Sequence, residues 1–201
     1  MVAGETAANP PEFDPAVVRA MARWPDVPEC HGWLALDRRG GWRLRGEPLD
    51  HPNIIAFIGR NYAADAQGRW FFQNGPQRVY VALEYTPWIY RVDGRDGLVA
   101  HTGRQAGAVE RFCIDDEGHL LALAALGPGL IHACDVPILA ARIAGAHGRP
   151  LDDDEIEAAL ANPAECPLTL RWNDRPLPLE FVPRAQAARR FGYRPDPAPS
   201  P

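Results

Sequence analysis

The 201 residues include 21 arginines, no lysine and 26 carboxylates, for a formal net charge of −5, and 46% of them are hydrophobic. That balance suits a globular chain with a sizeable core and excludes nucleic-acid binding through phosphate neutralisation, which needs a basic patch. Without lysine there is no Schiff base, no P-loop lysine and no Ser–Lys dyad.

In chain order, residues 1–13 are rich in Ala and Pro and read as a disordered segment. "FDPAVVRAMARW" predicts a short helix with Asp14 as N-cap and Pro15 in its first turn, stopped at Trp24-Pro25. "GWLALDRRGGWRLRG" alternates on either side of "RRGG" and predicts a hairpin over about 33–46. In "HPNIIAFIGRNYAAD", Ile54, Ile55, Ile58 and Tyr62 share one helical stripe, and Pro52 suits a helix start. Trp70–Phe72 and residues 78–85 then read as strands across an "NGP" turn. Val79, Val81, Leu83 and Tyr85 form a core face, and Arg78, Tyr80, Ala82 and Glu84 the opposite one. Pro87 interrupts the ladder before a strand at Ile89–Val92.

Further on, "DVPILAARIAGAHG" and "LDDDEIEAALANP" predict helices, the second with aspartates at its positive end. "CPLTLRWNDRPLPLEFVP" predicts a hairpin centred on Asn173-Asp174, "RAQAARRF" a terminal helix, and residues 194–201 a disordered Pro-rich tail. Asp65, Gly68 and Pro87 recur fifty positions later as Asp115, Gly118 and Pro137, which suggests an internal repeat. The expected fold class is therefore α+β: antiparallel sheets with short helices, in two related sheet-and-helix units packed together. The first unit is expected over 14–110 and the second over 111–193.

The stretch from Gly41 to Gly94 resembles the front part of a proteobacterial family known as a domain of unknown function. The matching features are Gly46-Glu47-Pro48, Asp65–Trp70 and Tyr85–Trp88. The similarity is good over about 33–93 and thins afterwards, where "WNDRPLPLEF" replaces a small-residue run. It implies an α+β fold of repeated motifs linked to ligand binding or signalling, and brings no catalytic residues.

Chemistry-bearing residues are sparse. The only serine, Ser200, lies in the tail, which removes serine hydrolases. Neither GxGxxG nor GxxxxGK[ST] occurs, and the proline in "ALGPGL" removes a donor that a phosphate nest would use. Cys30, Cys113, Cys134 and Cys166 lie far apart, and the opening "MVAGETAANPPEFD" has no basic start or apolar stretch, so free thiols in the cytoplasm are expected. The longest uncharged run, Gly118–Cys134, is too short and broken to span a bilayer. Cys30-His31 and His132/Cys134/Asp135 contain metal-ligand types but in an apolar setting, so no metal and no cofactor are expected.

The expectation is a non-enzymatic ligand-binding or adaptor protein, in signal transduction, whose partner is a small molecule or another protein. Candidate contacts are Arg78 for an anion, Glu84 for a cationic or hydrogen-bonding group, and Tyr80 and Trp88 for stacking. One alternative is an acid–base hydrolase or transferase using His119, His132 and Asp135 between the two units. The other is a structural homodimer.

Overall fold

The structure, a computed structural model, describes residues 13–94, 97–145, 149, 151–161 and 167–198. It is an α+β fold of two mixed sheets with a few short helices. The expected disorder of residues 1–12 and 199–201, and Cys166, lie outside the described residues.

The first helix, α1 (Pro15–Arg23), starts after Asp14 with proline at its N-terminus and ends at Trp24, whose N–H reaches Ala20 O. Strands β1 (Cys30–Leu36) and β2 (Trp42–Leu44) pair with Leu34 opposite Leu44 and Leu36 opposite Trp42. β2 turns through Arg45-Gly46 into β3 (Glu47–Pro48). Helix α2 (Pro52–Arg60) is shorter than its apolar stripe suggests. Asn61 ends it by donating its side-chain amide to Phe57 O, and Tyr62 begins strand β4 (Tyr62–Ala64). Tyr62 sits where either a helical stripe or a buried strand would place it, and pairing with Phe72 decides for the strand.

The aromatic-rich region supplies β5 (Trp70–Asn74), β6 (Gln77–Leu83) and β7 (Trp88–Asp93). The first sheet has the order β3-β2-β1-β6-β5-β4. The chain crosses to the second sheet between Leu83 and Trp88. That sheet contains β7, β8 (Gly97–Ala100), β9 (Val109–Ile114), β10 (Leu120–Ala124), β11 (Gly127–Ile131), β12 (Ile143–Ala144), β13 (Leu168–Trp172) and β14 (Arg175–Phe181), in the order β12-β13-β14-β9-β10-β11-β7-β8. The hairpins give antiparallel neighbours, and three pairings among the described residues are parallel: β1 with β6, β11 with β7, and β14 with β9.

Helix α3 covers only Val136–Ala140, because Ile143 and Ala144 leave the predicted helix to pair with Leu170 and Thr169. Helix α4 (Asp153–Ala161) opens on a reciprocal cap. Asp152 accepts from Glu155 N at 2.8 Å while the Glu155 carboxylate accepts from Asp152 N at 3.2 Å. The β13–β14 turn places Asn173 and Asp174 at φ 50° and 57°, the left-handed pair that a two-residue hairpin needs. Helix α5 (Arg184–Phe191) ends on left-handed Gly192. Residues 194–198 run along the first sheet, where Arg194 N donates to Gly68 O and Leu83 N to Pro195 O.

One turn recurs three times. In 37–41, 65–69 and 115–119 an aspartate carboxylate oxygen accepts the N–H groups two and four residues on, at 2.8–3.0 Å. The glycine at the fourth position of each turn, Gly40, Gly68 or Gly118, takes a positive φ near 80° and donates to the aspartate carbonyl. Asp65/Gly68 and Asp115/Gly118 therefore occupy identical turns. Pro87 precedes a strand, whereas Pro137 sits in α3.

The main core lies between the sheets. Trp88 meets Tyr62 and Trp70 edge-on at 5.3 and 5.1 Å, and His101 is enclosed with Trp42, Tyr62 and Trp88. His101 Nδ1 accepts from Ile89 N, which leaves the ring proton on Nε2. Burial drives its pKa down to about 3, against the pull of the Asp37 charge, so the ring stays neutral.

Candidate functional site

The two faces of the first sheet have different covers. Alternation along β5 and β6 sends Phe71 and Tyr80 to one side and Phe72 and Val79 to the other. Phe13, at the start of α1, packs on Phe71. α2 covers the opposite face, with the Phe57 ring against Phe72 at 5.3 Å. This cover is incomplete, because α2 is a nine-residue helix over a six-stranded sheet. The gap is an apolar groove of ≈ 360 Å³.

Leu34, Phe72 and Val79 form its floor and Ile58 its roof. Around the mouth, Trp33, Leu44 and Ile54 are 46%, 45% and 45% exposed, large apolar side chains that the fold leaves uncovered. A bulge in β1 sets this rim. The β1–β6 register shifts between Cys30 and Leu34, with Gly32 at φ 75°, and Trp33 is displaced outward. The polar members are the thiol of Cys30 and the amides of Asn74 and Gln77; Gln77 donates its amide to Pro28 O at 3.0 Å. Next to Leu44, the Arg45 guanidinium lies flat on Trp33, 3.6 Å from the ring centroid. Among the described residues no carboxylate lies within ion-pairing distance of Arg45.

The four residues expected to form one contact surface are divided among three places. Tyr80, on the side-chain row expected to face outward, is fully buried. His31 stacks on its ring at 4.6 Å, and its hydroxyl accepts from Arg69 at 2.7 Å. The same hydroxyl lies 3.1 Å from both Asp65 and Glu29, and its single proton serves one of them at a time. Burial raises the Tyr80 pKa; Arg78 opposes and the Asp65 charge adds to the rise. Burial works against Asp65 ionising, but Arg69 and three further donors outweigh it and hold the carboxyl below its ordinary value. Arg78 is on the same face, its guanidinium 4.7 Å from the Phe71 centroid. Glu84 lies past the end of β6 and holds Arg38 at 2.8 Å. Trp88 is 1% exposed in the inter-sheet core. The fold thus brings Arg78 and Tyr80 together and keeps Glu84 and Trp88 apart from them.

His119, His132 and Asp135 have separate partners. The Asp115 carboxylate, fully buried, accepts from Tyr85 OH at 2.9 Å and holds His119 Nδ1 at 3.0 Å. His119 Nε2 faces Arg38 at 3.4 Å. Burial, and then the Asp115 charge, push the Tyr85 pKa well up, so its hydroxyl remains a donor. His132 accepts from Cys134 N. Asp135 binds the Arg91 guanidinium at 2.6 Å and Val92 N at 2.9 Å; mainly through Arg91, its pKa is lowered. His119 and Asp135 are occupied in joining elements, and His132 caps the short turn that follows it. Among the described residues, no three His, Cys, Asp or Glu side chains gather as metal ligands.

The groove was not legible in the sequence because five separated segments build it. The available signal was an excess of large apolar residues, Trp33, Leu44 and Ile54, on elements whose core faces were already filled.

A protein-family model described as "Protein of unknown function (DUF2946)" matches residues 13–198. No curated protein matches the chain. Among solved structures, a DUF1285 family protein from Silicibacter pomeroyi DSS-3 aligns with a TM-score of 0.51 and 16% identity, covering 86% of this chain and 90% of that one. A second DUF1285 family protein, from Shewanella baltica OS155, aligns with a TM-score of 0.42 and 12% identity over 53% of this chain and 89% of that one. The first likeness concerns the fold alone.

Proposed function

Starting from the chain's membership of this family of unknown function, whose description names no activity, we propose that the protein is a non-enzymatic binder of a small apolar ligand. The groove under α2 is the binding site. The observation that carries this reading is an apolar cavity of ≈ 360 Å³ whose rim keeps three large hydrophobic side chains in water. Such a cavity lies at the small end of the ~300–1,000 Å³ that ligand pockets occupy. Free thiols at Cys30, Cys113 and Cys134 suit a reducing, cytoplasmic setting.

We include in the proposal that the segments 65–83 and 115–131, one in each of the expected units 14–110 and 111–193, arose by duplication. Support comes from the identical turns at 65–69 and 115–119, and from strands that start at 70 and 120 and at 77 and 127.

The test uses an uncharged solvatochromic dye. Nile red is expected to bind saturably, one per chain, with a blue shift that disappears in Val79→Phe, which fills the floor. Absence of saturable binding, or binding that Val79→Phe leaves unchanged, would remove the groove reading.

A further inference from the structure

We propose that the natural occupant of the groove is a single-chain carboxylate, with its chain on the apolar floor and its head group on Arg45. This rests on the groove being a ligand site and adds the class of ligand.

Two independent features point to it. First, the charges are arranged asymmetrically. No charged side chain lines the groove, yet a guanidinium without a carboxylate partner among the described residues stands on its rim. Arg45 is stacked through its face on Trp33, which lines the groove, so the N–H edge of the guanidinium stays available at the perimeter. A planar fork of this kind, pre-ordered by a ring, matches a carboxylate in two-point contact.

Second, Arg45 occupies a costly backbone position. It is the first residue of the two-residue turn between β2 and β3, at φ 50°, with Gly46 at φ 87°. Such a turn favours Asn, Asp or Gly, and a longer side chain there is disfavoured. The same chain meets the same demand at its β13–β14 turn with Asn173-Asp174. At the groove it uses an arginine, although an asparagine would fold more easily. A residue that the turn does not favour, at the mouth of a cavity, indicates a use for its side chain.

Size narrows the ligand further. The groove has about twice the ~150 Å³ of a cavity known to accept benzene. It therefore takes one medium-length alkyl chain, and a diacyl lipid is too large.

The experiment compares decanoate, decanol and decyltrimethylammonium as competitors of Nile red on the wild-type protein, Arg45→Asn and Val79→Phe. Decanoate is expected to bind roughly three- to fivefold tighter than decanol at low salt, the upper part of the range for an ion pair at an exposed site. Higher salt should narrow that gap. Arg45→Asn should remove the gap by lowering decanoate affinity, with the melting temperature equal or higher, since asparagine suits the turn. The ammonium should bind no better than the alcohol. Equal affinities for decanoate and decanol in the wild type, both lost in Val79→Phe, would overturn the carboxylate and leave the groove standing. No binding of any of the three would remove both. Sedimentation with phosphatidylglycerol vesicles, without binding of free decanoate, would also overturn the proposal.

Discussion

His101 offers a direct test of how dry the space between the sheets is. Its Nε2 is buried without a hydrogen-bond partner among the described residues, and its pKa is about 3. The unfolded chain presents an ordinary histidine near 6.5. Because the folded value lies below the unfolded one, the stability tied to this group is complete above about pH 6.5 and is lost as pH falls towards 3. Between pH 7 and pH 5 the unfolded state gains most of a proton and the folded state almost none. Linkage then gives a loss of about 2 kcal/mol over this window. At a urea slope of roughly 2 kcal/mol per molar, the unfolding midpoint should move down by about 1 M. His101→Asn keeps an oxygen close to where Nδ1 accepts from Ile89 N but does not titrate in this range. The variant is expected to be weaker at both pH values and to lack most of the shift. If wild type and variant lose the same stability between pH 7 and pH 5, protons reach the ring in the folded state and the dry inter-sheet core is wrong.

The three aspartate turns should differ in cost although their backbone bonds match. Asp37→Ala, at a side chain 23% exposed, should lose about 1 kcal/mol, and Asp115→Ala, fully buried with Tyr85 and His119 attached, about 3 kcal/mol by urea unfolding. Equal losses would show that only the turn bonds matter. Gly129 lies against the Tyr90 ring, and a Cβ there would overlap ring carbons, so Gly129→Ala should destabilise by roughly 1–3 kcal/mol. A double-mutant cycle with Tyr90→Ala should show coupling, and additive losses would contradict the contact.

Local chemistry made much of the fold legible in the sequence. Pro15 and Pro52 mark helix starts, Asn173-Asp174 marks a left-handed hairpin turn, and Asp65/Asp115 mark turns that prove alike in every backbone bond. The failures involve partners distant in sequence. Tyr62 fits a helical stripe until Phe72 pairs with it, and Ile143 fits a helix until Leu170 does. Tyr80 lies on a side-chain row that alternation assigns to solvent, and it is buried because His31 and Phe71 close over it. Arg45 and Trp33 are unremarkable in a hairpin until the bulge at Gly32 stacks one on the other.

The parallel pairing of β14 with β9 has a consequence for biosynthesis. Phe112, Cys113 and Ile114 find their partners in Leu179, Glu180 and Phe181, so one side of β9 stays open until the last hairpin has been translated. About sixty residues separate Ile114 from Arg175. At ~5–20 codons per second, the ribosome leaves that edge bare for roughly 3–12 s. During this interval a nascent strand presents Phe112 and a thiol that the finished protein never exposes, and it is then that mispairing with a neighbouring chain, or capture by a chaperone, can occur.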